Sequence, residues 1–316
     1  MQIFLVVLMY GMWSSVFSLG KLALESSPPI FLTAFRMLFA AVLLIGYLAI
    51  RHKQGLKLKK SQIVPLLLFS FLSIYLTNIL EFWGLKHLSA AKTCFIYGLS
   101  PFFAVLLSYF HFKEKINVRK FIGLVIGFIG FIPVVMSQMG SESLHTAFSV
   151  ISWPEIAVMG AAFFSIYGWI ILRILVKKQT LSPITVNGYG MLFGGFFALI
   201  HSFVADPWMP TPIAAGHYMP FFQGVFLMAL VSNIICYNLY GYMLKRYTAT
   251  FLSFMGLLSP VFASINSYFI LGEKPSMTIL VSTLIVSLGL FIVYQAELKQ
   301  GYILSPSKEE KKTVST

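Results

Sequence analysis

Arg36 and Glu81 are ionisable side chains that fall inside long apolar runs of this sequence. A charge held away from water is costly, so each must meet a partner, a wet cavity or a ligand. The planar guanidinium of Arg36 matches a carboxylate through two parallel hydrogen bonds. Its alternative role is a structural cap on backbone carbonyls or on a neighbouring acid. Glu81 shares a helical face with Asn78 and Tyr75 by three-residue spacing. It can take a cationic ligand group or pair with Lys92, and Lys92 can equally extend to an interface. Asn233 and Asn238 add two amides to another apolar run. Trp13, Phe17, Tyr97, Phe163, Tyr167, Trp169, Tyr189 and Tyr237 are aromatic candidates. Singly, such rings pack cores or sit at interfaces. As a set they suit a planar or cationic organic ligand, by stacking and cation–π contact.

The composition says what surrounds these groups. Hydrophobic residues make up 58% of the 316, charged residues only 10%, and aromatics 16%. A soluble domain carries about 25% charged residues. Here the charges lie between apolar runs and not along them, the mark of an all-α integral membrane protein. The net charge of +13 sits in loops between runs, which points to membrane orientation and not to nucleic acid. Cys94 and Cys236 both lie in apolar runs and read as small packing residues. The histidines are scattered. No HExxH, G-x-S-x-G or phosphate-binding loop is present, so no metal, cofactor or ATP-driven chemistry is expected. A membrane enzyme should show clustered acids, histidines or a nucleophile at the bilayer edge, and the sequence has none.

Apolar runs of about twenty residues give ten expected spans. They cover 2–20, 29–50, 63–83, 90–112, 118–136, 153–175, 183–204, 220–244, 248–271 and 277–295. The first has no basic residue before Lys21, so it reads as a retained span and not a cleaved signal. With both termini cytoplasmic, 18 of the 23 Lys and Arg fall in inner loops and the tail. Only Lys21, Lys86, Lys92 and Lys274 fall outside, a strong positive-inside bias.

The chain also repeats. Leu99-Ser100-Pro101-Phe102-Phe103-Ala104, running on to Glu114-Lys115, recurs as Leu258-Ser259-Pro260-Val261-Phe262-Ala263, running on to Glu273-Lys274. The offset is 159 residues without a gap, and it also relates Gly130 to Gly289. The starts of the halves match more loosely, Phe35-Arg36-Met37 against Tyr189-Gly190-Met191. The expected organisation is a first five-helix repeat at 1–136, a connector at 137–152, a second repeat at 153–296 and a polar tail at 297–316. An odd number of spans per half makes the two copies inverted in the membrane. Pro101 and Pro260 interrupt equivalent helices, either as shape devices or as hinges.

This pattern resembles the drug/metabolite transporter superfamily, EamA type. The resemblance rests on Tyr10-Gly11-Met12-Trp13 in the first span, Phe35-Arg36 in the second, and Leu88-Ser89-Ala90-Ala91, Pro101 and Glu114 along the fourth. Gly123, Gly127 and Gly130 in the fifth complete it. It implies ten helices around a central cavity and alternating-access transport of a small organic metabolite across a bacterial inner membrane. A second resemblance is to the S-adenosylmethionine transporters of obligate intracellular bacteria. Such a substrate offers a carboxylate for Arg36, positive centres for Glu81 or an aromatic wall, and an adenine to stack. S-adenosylhomocysteine would be its exchange partner. The alternatives are an amino-acid or drug exporter of the same superfamily, and a membrane enzyme or assembly protein that does not transport. Direction, coupling ion and oligomeric state are not written in the sequence.

Overall fold

The computed structural model describes residues 2–88, 90–138, 152–262, 265 and 277–303, all of it helix and connecting turns. Seven helices among these residues are long and apolar enough to cross a membrane. They begin with α3 (Pro29–Arg51) and a 28-residue rod formed by α4 (Lys60–Phe69), a first π-helical turn (Ser70–Leu76) and α5 (Thr77–His87). The third comprises α6 (Ala90–Tyr97) and α7 (Ser100–Phe112). Then come α9 (Trp153–Lys177) and α10 (Pro183–Ala205). A rod of α11 (Tyr218–Met228), a second π-turn (Ala229–Cys236) and α12 (Tyr237–Met243) is the sixth, and α14 (Met277–Lys299) supplies the seventh. These correspond to seven of the ten expected spans. Helix α8 (Val118–Gln138) occupies the expected fifth. In the ninth, α13 (Ala249–Met255) and a 3-10 turn (Gly256–Leu258) lie on an apolar helix that is described to Phe262.

The expected first span is corrected. It divides into α1 (Gln2–Trp13) and α2 (Ser15–Ser26), meeting at Ser14. Ser14 and Ser15 turn their hydroxyls back onto the carbonyls of Gly11 and Met12, at 2.7 Å each, a bond that competes with regular helix and bends it. Lys21 does not end the helix as its charge suggests. Its Nζ reaches the carbonyls of Leu85 and Leu88 at 2.9 and 2.8 Å and caps the end of α5. Glu273, Lys274, the connector from 139 to 151 and the tail from 304 lie outside the described residues.

The other boundaries follow local chemistry. Ser182 accepts from the N–H of Thr185 ahead of Pro183, and Thr248 accepts from that of Phe251, each at 3.0 Å. Ser152 and Glu155 form a reciprocal cap at the start of α9. Pro101 sits at the first turn of α7, immediately after a break at Gly98-Leu99, and Pro260 follows the 3-10 turn. A proline donates no N–H, so it is tolerated where a helix restarts. Large apolar side chains such as Ile50, Val204 and Leu284 face outward, as lipid contact requires.

Glycine notches set how closely the elements approach. Helix α3 packs along α10, and α8 along α14. At the second crossing a Cβ on Gly289 would lie 2.6 Å from the backbone nitrogen of Gly127. The first π-turn presses into the other half of the chain. A Cβ at Gly168 would run into Ser73 Cβ, one at Gly190 would meet the Phe69 ring at 2.5 Å, and one at Gly194 would meet Ile74 at 2.6 Å. Gly168→Ala should therefore overpack the bundle and cost about 1–3 kcal/mol. Thermal unfolding in detergent should show the loss, and Ser73→Gly in the same chain should recover part of it. Full stability of the single variant would refute the notch.

Candidate functional site

A cavity with about 900 Å³ of empty space, its opening included, lies between the two halves. Its polar side comes from the first half. Arg36 enters from α3, Asn78 and Glu81 from α5, and Tyr97 from the end of α6. Its aromatic side joins both halves through Tyr10, Trp13, Trp169, Tyr237 and Tyr240.

Arg36 is 1% exposed. Its Nη2 donates to Asn78 Oδ1 at 2.5 Å, and its guanidinium carbon lies 4.8 Å from the centre of the Phe82 ring. Its Nε has no partner, and no acid forms an ion pair with it among the described residues. Among the described residues neither a backbone carbonyl nor an acid is bonded to it, although the acid Glu81 acts on it electrostatically. A guanidinium has five N–H donors, so most of this one's capacity is unspent. Glu81 accepts from the Tyr97 hydroxyl at 2.8 Å. It does not pair with Lys92, whose ammonium instead binds Glu155 at 2.5 Å. Arg36 and Glu81 interact electrostatically across the cavity without forming an ion pair.

The rings form a box. Trp13 stands 6.0 Å from Trp169, 5.6 Å from Tyr237 and 5.9 Å from Tyr240. Trp169 lies 4.2 Å from Tyr240 and 5.1 Å from Tyr237. Such a wall offers π faces to a planar or cationic group.

The structure gathers Trp13, Arg36, Asn78, Glu81, Tyr97, Trp169 and Tyr237 at this cavity. Phe17 belongs to α2, and its side chain is outside the described set. Five other candidates, Phe163 among them, are absent from the wall. Tyr167 packs edge-on to His111 and stacks with Phe163. Tyr189 donates to the carbonyl of Leu56 at 2.8 Å. Asn233 donates to the sulfur of Met37 at 3.0 Å, and Asn238 accepts from Asn187 at 3.0 Å. Tyr75 leaves the face of Asn78 and Glu81 for His201, at 3.0 Å, because the π-turn breaks the helical register.

Sequence reading missed Tyr10, Phe82, Cys94, Ser100, Ser253 and Ser259 on the wall. The repeat offset holds the signal for most of them. Cys94 and Ser253, Tyr97 and Gly256, and Ser100 and Ser259 are pairs separated by 159 residues, as are Asn78 with Tyr237 and Glu81 with Tyr240. At these five pairs of positions both members face the cavity.

Membrane-length helices around a buried cavity with a few convergent polar groups define a polytopic membrane protein built to hold a small molecule. The model of the EamA-like transporter family matches residues 1–136 and again 152–295. The chain belongs to this family, which makes it a multi-pass membrane transporter. It is 38% identical to a protein of Chlamydia trachomatis serovar L2 named as an S-adenosylmethionine/S-adenosylhomocysteine transporter, over 96% of this chain and 92% of that one. A protein of the same name from Chlamydia muridarum is 36% identical over 96% and 95%. A solved crystal structure shares the fold, with a TM-score of 0.72 at 15% identity, over 92% of this chain and 96% of the other. Both resemblances read from the sequence are borne out.

Glu81 is the acid of the cavity wall, and Glu81→Gln keeps its size and its bond from Tyr97 while removing charge. Transport should fall at least tenfold in proteoliposomes, with insertion and thermal stability retained. Unchanged affinity and rate would make Glu81 only a partner for Tyr97.

Proposed function

We propose that this protein exchanges S-adenosylmethionine for S-adenosylhomocysteine across a bacterial inner membrane. The observation that carries the reading is one cavity holding a buried guanidinium with no ion-pair partner among the described residues, an acid and an aromatic box. The carboxylate of either ligand takes the open fork of Arg36. The α-ammonium goes to Glu81 and Tyr97. The sulfonium or the adenine lies against Trp13, Trp169, Tyr237 and Tyr240. The two ligands share every one of these groups except the sulfonium, which suits one site serving both directions. The curated relatives support the same substrate pair.

The frame we propose is ten spans in two inverted five-helix repeats, with both termini cytoplasmic. The gapless 159-residue offset, the bias of Lys and Arg and the paired wall positions support it. Alternating access then follows from one half rocking against the other around a fixed site.

Proteoliposomes loaded with S-adenosylhomocysteine should take up labelled S-adenosylmethionine many times faster than empty ones. Equal uptake by both would rule out exchange, and uptake of amino acids alone would favour an amino-acid exporter. Arg36→Lys should weaken the carboxylate-bearing ligand by about 1.5–3 kcal/mol, the scale of a charged hydrogen bond. A ligand with its carboxylate esterified should bind wild type and variant alike. Equal loss of acid and ester would mean that Arg36 supports the helix and does not read the carboxylate.

A further inference from the structure

Each half carries a π-turn in the same place, and the two begin 159 residues apart at Ser70 and Ala229. A π-turn disturbs the ladder of backbone bonds and recurs at functional sites. It leaves carbonyls that need other donors. In both halves an asparagine just beyond the turn supplies them. Asn78 Nδ2 donates to the carbonyls of Ser73 and Ile74 at 3.3 and 2.9 Å. Asn238 Nδ2 donates to those of Asn233 and Ile234 at 3.4 and 2.8 Å. Each side chain reaches back five and four residues.

These bonds fix which way each amide points. With the NH₂ group turned to the carbonyls, the oxygen must face away from them. Each oxygen then accepts from the helix that precedes its rod. Asn78 Oδ1 takes Arg36 Nη2 from α3, and Asn238 Oδ1 takes Asn187 Nδ2 from α10. The arrangement is built twice, once with a cation and once with a neutral amide. The cationic copy lines the cavity and the neutral copy does not. The match is approximate in register: Asn238 lies one residue past Tyr237, the counterpart of Asn78, and Asn187 lies three residues before Gly190, the counterpart of Arg36.

We infer that Asn78 is a positioning residue for ligand binding. Anchored on the first π-turn, it pins one edge of the Arg36 guanidinium and so presents the remaining donors, Nε among them, to the carboxylate of the ligand. It is also neutral, so it orients the cation without cancelling its charge. An aspartate in its place would supply an internal carboxylate and occupy the fork. The inference rests on the reading that Arg36 receives the ligand's carboxylate.

The test compares inhibition of labelled S-adenosylmethionine exchange by S-adenosylhomocysteine and by its carboxyl methyl ester. Wild type should prefer the acid by at least tenfold. A wild-type ratio near one would refute the Arg36 reading itself, and this inference with it. Given that preference, Asn78→Asp should bring the ratio close to one, because affinity for the acid falls and affinity for the ester does not. Asn238→Asp removes the same donors from the second π-turn, yet it should leave the ratio within about twofold of wild type. Where Asn78→Asp fails to insert, Asn78→Gln serves. It keeps the amide, displaces it by one methylene, and should lower the ratio at least threefold. A preserved ratio in the Asn78 variant, or an equal loss in Asn238→Asp, would overturn the positioning role.

Discussion

The charge of Arg36 constrains the rest of this structure. A guanidinium at membrane depth is tolerated only when something orients it and something shares its charge. Asn78 does the first, and the face of Phe82 contributes to the second. The unspent donors leave Arg36 able to hydrogen-bond an anion. Orientation in turn depends on the π-turn beneath Asn78. That turn fits only because Gly168, Gly190 and Gly194 leave room for Ser73, Phe69 and Ile74. The position of Gly190 thus explains a broken symmetry. The second half cannot carry an arginine there, because its space is filled by the ring of Phe69.

Away from the cavity, buried ion pairs join the two halves. Arg173 on α9 meets Glu114 beyond α7 at 2.6 Å, with the ring of Phe112 over the guanidinium. Lys120 on α8 meets Glu297 on α14 at 2.6 Å, and Thr248 donates to the same carboxylate. Removing such charges from water offsets most of their attraction, so these pairs specify how the halves dock more than they stabilise the docked state. Each pair at the docking surface joins opposite charges directly, whereas among the described residues no acid forms an ion pair with Arg36. The distinction separates what holds the halves together from what is left for a ligand.

Much of this was legible in the sequence, for physical reasons. Arg36, Glu81 and Asn78 stand out because lipid cannot satisfy them. The helices were legible because a membrane demands about twenty apolar residues per crossing. The 159-residue offset was legible because Pro, Gly and charge recur in register. Other features carry no compositional mark. Neither Ser70–Leu76 nor Ala229–Cys236 announces a π-turn, so the face drawn through Tyr75, Asn78 and Glu81 breaks at Tyr75. Tyr167 and Tyr189 look like Tyr97 and Tyr237 in sequence, and only packing separates wall from core. The break at Ser14 depends on hydroxyls turning back on their own helix, which serines in many continuous helices do not do. Small residues such as Ser100 and Ser259 became visible as wall only once their pairing was placed in space.

Recognition in the proposed exchange turns on one contact, between the guanidinium of Arg36 and the carboxylate of the transported molecule. A structure of the protein with S-adenosylhomocysteine bound measures it directly. The carboxylate oxygens should lie about 3 Å from the Arg36 nitrogens, with Asn78 still bonded to Nη2 and the adenine or the sulfur arm against the Trp169 and Tyr240 rings. A bound ligand with its carboxylate turned away from Arg36, or seated outside this cavity, would contradict it.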